Sequence, residues 1–210
     1  KYAGLYGKPH DIGSDAVTAN DWVRQERPDK EFLDQWRAKF DEVVDGYQPD
    51  FIWFDDGIRL VQEHYKREFL SYYYNQAEAW GKEVLVSYKD HNLVPGTGLA
   101  DLEQGRFNDL TYAEWLTDTT VDDGNGWCFL NDNSYKSPTE VIHYLVDNVS
   151  KNGYLLLNVD PMPDGRIPGP SRHILREMGK WLEVNGESIY ATTPYGQNTQ
   201  SGKIEASSLS

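Results

Sequence analysis

The feature that most constrains this chain is a short, continuous apolar run that stops on acid. Phe51-Ile52-Trp53-Phe54 is followed at once by Asp55-Asp56-Gly57. Four β-favouring residues are too few for a helix and have no polar alternation, so the run reads as a strand buried on both faces. Carboxylates at its end are costly to place there unless they have a role. A similar run recurs at Val84–Tyr88, a shorter one at Gly98–Leu102, and another at Tyr154–Val159. Between them lie stretches with apolar residues every three or four positions. One spans residues 30–45 and is closed by Gly46, a second spans Leu60–Trp80, and a third carries Val141, Ile142, Leu145, Val146 and Val149. The third opens on Ser137-Pro138-Thr139-Glu140, a capping box. A last helix presents Ile174, Leu175, Met178, Trp181 and Leu182.

Buried strands alternating with helices predict an α/β fold with a parallel sheet covered by helices. Three or four such units make about half of a (β/α)8 barrel, and a doubly wound sheet is the alternative. Neither G-x-G-x-x-G nor a P-loop occurs, so the pattern leans to a partial TIM-type barrel.

Composition removes several functions. With 7 Trp, 14 Tyr and 7 Phe among 210 residues, the chain has the aromatic content of a globular unit. A net charge of −14 disfavours nucleic-acid binding, which relies on Lys and Arg to neutralise phosphates. No apolar run approaches the ~20 residues that span a bilayer, so membrane insertion is not expected. The chain starts Lys1-Tyr2-Ala3-Gly4, with neither Met nor signal peptide, and its N-terminus reads as cut. Cys128 is the single cysteine, which excludes an internal disulfide. The five histidines show no paired spacing, so no metal site is implied. The sequon Asn148-Val149-Ser150 falls within a predicted helix and reads as chance. Nothing in the sequence sets the oligomeric state.

In a barrel the C-terminal ends of the strands form the active-site mouth. Asp55, Asp56 and Glu103 fall at such positions. Two carboxylates across a mouth lined with aromatics suit glycoside hydrolysis, one attacking and one protonating the leaving oxygen. Read alone, the same acids also suit turns and helix caps, Asp-Asp-Gly being a good turn signature.

The segment Tyr47–Asp55 resembles the nucleophile strand of glycoside hydrolase family 29, the retaining α-L-fucosidases. Tyr135–Val146, Val149–Gly153, Leu155–Asn158, Pro163-Asp164-Gly165, Ile167-Pro168, Gly179–Leu182 and Val184–Tyr190 resemble the same family in the same order. The resemblance covers most of residues 40–195. It implies that residues 1–195 are the C-terminal half of a catalytic barrel and 196–210 a tail or the start of a linker. It makes the Asp of the W-x-D element, Asp55 rather than Asp56, the nucleophile. It offers Glu103, in Asp101-Leu102-Glu103-Gln104-Gly105, as the acid/base, with Glu114 as competitor, because the late position used by other members holds Leu116. Trp127, in Trp127-Cys128-Phe129, matches an aromatic that packs on fucose; by itself it reads equally as a core tryptophan. Lys89 lies where the family has a basic residue in the pocket; by itself it reads as a solvated lysine. Asn158 and Asp160 read as structural loop residues at the barrel mouth. The resemblance further implies a fucosylated glycan substrate, no cofactor, and a periplasmic or secreted setting. The family's early strands, with the histidines that grip the sugar, would lie upstream of Lys1, so the 210 residues alone are expected to be inactive. The alternative is a non-catalytic fucose-binding or structural barrel fragment.

Overall fold

A computed structural model describes residues 28–55, 58–89, 92–123 and 127–194. The expected tail at 196–210, like Asp56, lies outside the described residues. The chain divides into two compact units, Lys1–Ala100 and Asp101–Ser210.

In the first unit, α1 (Lys30–Tyr47) starts where the Asp29 carboxylate accepts a hydrogen bond from the Phe32 amide at 2.9 Å. Gly46 does not end this helix. It runs one residue further, to Tyr47, and is capped by Gln48, which adopts a left-handed φ of 47° and returns its amide to the Val44 carbonyl at 3.0 Å. Then come β1 (Phe51–Trp53), a 3-10 turn at Ile58–Leu60, α2 (Glu63–Trp80), β2 (Leu85–Tyr88) and the start of β3 (Leu99–Asp101). β1 pairs with β2, and β2 with β3, in parallel. The core beneath the helices is aromatic. Trp36 and Phe40 of α1 and Phe69 of α2 surround Phe54, with ring centroids 4.7–6.3 Å apart. Such pairs contribute about 0.5–1.5 kcal/mol each beyond the area they bury.

In the second unit, β4 (Trp115–Thr120) is followed by α3 (Pro138–Ser150), β5 (Gly153–Asn158), α4 (Gly169–Asn185) and a 3-10 turn at Gly186–Ser188. β4 pairs with β5 in parallel over six residues, from Trp115↔Gly153 to Thr120↔Asn158. The capping box of α3 forms as expected: the Glu140 amide donates to Ser137 Oγ at 3.2 Å, and the Ser137 amide to Glu140 Oε2 at 2.6 Å. Val121, Val141, Ile174 and Met178 make the core under α3 and α4. Gly153 is there because the buried Trp115 ring occupies its side-chain space; a Cβ would stand 2.5 Å from the indole. Asn148, the acceptor of the sequon, is fully buried.

β4 is a strand that the apolar-run reading passes over. Its sequence, Trp-Leu-Thr-Asp-Thr-Thr, is mostly polar, yet all six residues are buried. Among the described residues, no helix is long and apolar enough to cross a membrane.

Candidate active site

Parallel pairing places the first group of residues. With Trp53 in register with Ser87, two further residues along each chain bring Asp55 level with Lys89. Strand alternation turns Trp53 and Asp55 to one side and Phe54 to the other. Phe54 is anchored in the aromatic core, 3% exposed, while Trp53 is 38% exposed. The core therefore fixes the direction in which the acid leaves the strand. Lys89 Nζ lies 3.3 Å from Asp55 Oδ1 and 5.4 Å from the centroid of the Trp53 ring. Lys89 is not a solvated lysine: its side chain is 5% exposed, against 44% for Asp55. A buried ammonium is costly without compensation, and an ion pair with an adjacent aromatic face supplies it. The Asn92 amide donates to the Lys89 carbonyl at 3.0 Å, and Lys66 of α2 donates to the Asn92 carbonyl at 2.8 Å, so the loop after β2 is tied back to the helix. The arrangement offers an oriented, accessible carboxylate beside a fixed cation and an aromatic ring.

The second unit holds the other candidates. Glu103 sits on the turn after β3 and is exposed. That turn is strapped to β4: the amides of Leu102 and Gln104 each donate to β4 carbonyls at 2.9 Å, from Leu116 and Asp118. The Thr117 hydroxyl lies 2.7 and 2.8 Å from the carbonyls of Leu102 and Gly105. Glu114 instead precedes β4, where Tyr154 near the start of β5 donates its hydroxyl to Oε1 at 2.9 Å. It therefore lies at the N-terminal end of these strands, opposite the end at which such barrels do chemistry. Leu116 is a buried residue of β4.

Trp127 is 37% exposed, so it is not a core tryptophan. Its carbonyl accepts from Asn158 Nδ2 at 3.4 Å, at the C-terminal end of β5. Below it, the loop is closed at a neck. Asp122 bridges Tyr135, the Asp123 amide donates to the Ser134 carbonyl at 2.9 Å, and the Lys136 amide donates to the Val121 carbonyl at 3.0 Å. Burial, followed by a hydrogen bond with Asp122 and that neighbour's charge, pushes the Asp160 carboxyl up to about 6. Reasoning from the sequence did not find the part played by Asp122, because nothing local to its segment marks Asp160 as its neighbour. Among the described residues, no group of three or more His, Cys, Asp or Glu is placed to hold a metal ion.

The model of the family described as "Alpha-L-fucosidase" matches residues 4–187. The chain belongs to the α-L-fucosidase family. The human plasma α-L-fucosidase is 32% identical over 157 residues, covering 72% of this chain and 33% of the human protein. The Dictyostelium discoideum α-L-fucosidase is 30% identical over 215 residues, covering 92% and 44%. The crystal structure of Thermotoga maritima α-fucosidase in complex with fucose aligns with a TM-score of 0.67 at 27% identity, covering 86% of this chain and 40% of that one. A second structure of the Thermotoga enzyme gives a TM-score of 0.70. The fold is thus α/β, part of a TIM-type barrel. The chain spans 33–44% of the length of these relatives.

Proposed function

We propose that this chain contributes the nucleophile and the acid/base of a retaining α-L-fucosidase acting on terminal α-L-fucose of glycans. The observation that carries the proposal is Asp55, held at the C-terminal end of β1 by the buried Lys89. Asp55 attacks the anomeric carbon while Glu103 protonates the departing oxygen, leaving a fucosyl-enzyme. Glu103 then takes a proton from water, the water attacks, and Asp55 is released. In this reading Lys89 orients the attacking carboxylate, and Trp127 gives the sugar an apolar face to pack on. The net charge of −14 fits an uncharged glycan better than a nucleic acid. A periplasmic or secreted setting belongs to the same proposal and rests on the family resemblance.

The test is an aryl α-L-fucoside assay on a family-length polypeptide containing these residues. Asp55→Ala should remove nearly all turnover, a loss on the order of 10³-fold or more. Azide should restore part of it by entering the vacated space, and Asp56→Ala should spare it. Full activity in Asp55→Ala would overturn the assignment. Absence of turnover in the unmutated polypeptide would favour the non-catalytic alternative.

A further inference from the structure

The turn after β3 is held more firmly than its own residues warrant. Leu102-Glu103-Gln104-Gly105 is closed by the Gly105 amide, which donates to the Leu102 carbonyl at 3.1 Å and makes Glu103 and Gln104 the two central residues. Gln104 adopts a left-handed φ of 49°. Glycine and asparagine take such a backbone at little cost and glutamine does not, yet the glycine of this turn stands at position 105. A backbone in that region persists where surrounding contacts over-determine it.

β4 supplies those contacts. The amides on either side of Glu103, those of Leu102 and Gln104, each donate at 2.9 Å to the carbonyls of Leu116 and Asp118. Between these two bonds stands Thr117. Its hydroxyl lies 2.7 Å from the Leu102 carbonyl and 2.8 Å from the Gly105 carbonyl, so it joins the first residue of the turn to the last. A hydroxyl has a single proton, and the two carbonyls share it. Thr117 is 1% exposed, and its backbone pairs with Leu155 inside the β4–β5 ladder. The branched Cβ further restricts the direction of the hydroxyl. Valine has nearly the same shape and would fill the same space in β4, but it would take the shared donor from both carbonyls. What the hydroxyl adds is the tie.

We propose that Thr117 is a positioning residue for proton transfer, its hydroxyl holding the turn in the form that aims Glu103. Glu103 is exposed, so the direction in which its side chain leaves the backbone depends on the shape of the turn. A misplacement of about 1 Å at a reacting group can cost on the order of 10²-fold in rate. The catalytic part of this role rests on Glu103 being the acid/base, as proposed above; the tie between Thr117 and the turn does not.

The test compares Thr117→Val with Thr117→Ser in the family-length polypeptide, through kcat/KM, which reads the steps up to departure of the leaving group. Thr117→Val should lower kcat/KM for fucosides with poor leaving groups roughly 10–10²-fold more than for activated aryl fucosides. Thr117→Ser keeps the hydroxyl and should keep the unmutated ratio. A residue that only stabilises the fold would lower both substrates in step. Amide hydrogen exchange reads the tie without turnover: the Gln104 and Gly105 amides should exchange slowly in the unmutated polypeptide and faster in Thr117→Val, with the β4–β5 ladder still protected. Thr117→Ala is a second variant without the hydroxyl, and failure of both to fold would make Thr117 a residue of the fold and overturn its positioning role. So would an unchanged substrate ratio in Thr117→Val, a ratio that Thr117→Ser fails to keep, or turn amides that exchange like an open loop in the unmutated polypeptide. Glu103→Ala, measured alongside, separates the two readings. If it shifts the ratio and Thr117→Val does not, positioning alone fails; if it leaves the ratio unchanged, the acid/base assignment fails and takes this role of Thr117 with it.

Discussion

Two glutamates are candidates for the proton transfer proposed above, and the strand end each one occupies separates them. Glu103 follows β3 on a turn strapped to β4, whereas Glu114 precedes β4 and is bonded by Tyr154. Catalysis in this architecture uses the C-terminal ends. In the family-length polypeptide, Glu103→Ala should therefore slow substrates with poor leaving groups about 10²–10⁴-fold more than activated aryl fucosides. Glu114→Ala should leave that ratio unchanged, and the opposite result would move the acid/base to Glu114. The apolar run drew attention to Asp55 and Asp56 alike, and both also suit a turn; only the family resemblance singled out Asp55. The burial of Lys89 was not legible in the sequence, since it follows from register with a strand remote in sequence. Trp127 could be read either way until its exposure excluded a place in the core.

At the scale of elements, the helices and the apolar strands could be read directly, because their periodicities come from one-sided or complete burial. β4 could not. Four of its six residues are Thr or Asp, and they are buried by strand pairing and by a turn that borrows their hydrogen-bonding groups, as Thr117 shows. A periodicity argument detects apolar burial only. The end of α1 was misplaced for a related reason: Gly46 is the better left-handed residue by propensity, but the chain turns at Gln48 so that Pro49-Asp50 can lead into β1. β4 and β5 meet closely at Trp115 and Gly153, which gives a stability prediction. Gly153→Ala would push a methyl against the indole at 2.5 Å and should cost about 1–3 kcal/mol, read as a lower midpoint in chemical denaturation. An unchanged midpoint would mean that the Trp115 ring shifts freely, against its full burial.

For the molecule as a whole, five strands lie among the described residues, where a closed barrel of this class has eight. Activity assays accordingly belong on a family-length polypeptide. The burial of Asn148 bears on how such a polypeptide can be produced. In a host that attaches sugars to Asn-x-Ser, the transferring enzyme meets the chain before it has folded, when Asn148 is as accessible as any other asparagine. Once α3 has docked, that side chain has no room for an oligosaccharide. Sugar transfer and helix docking are then rivals in time, and each molecule records which came first. Soluble product from such a host should carry an unmodified Asn148 by peptide mass spectrometry, with any sugar-bearing chains in the retained, misfolded fraction. A soluble, active and fully modified product would show that α3 can release this residue to solvent.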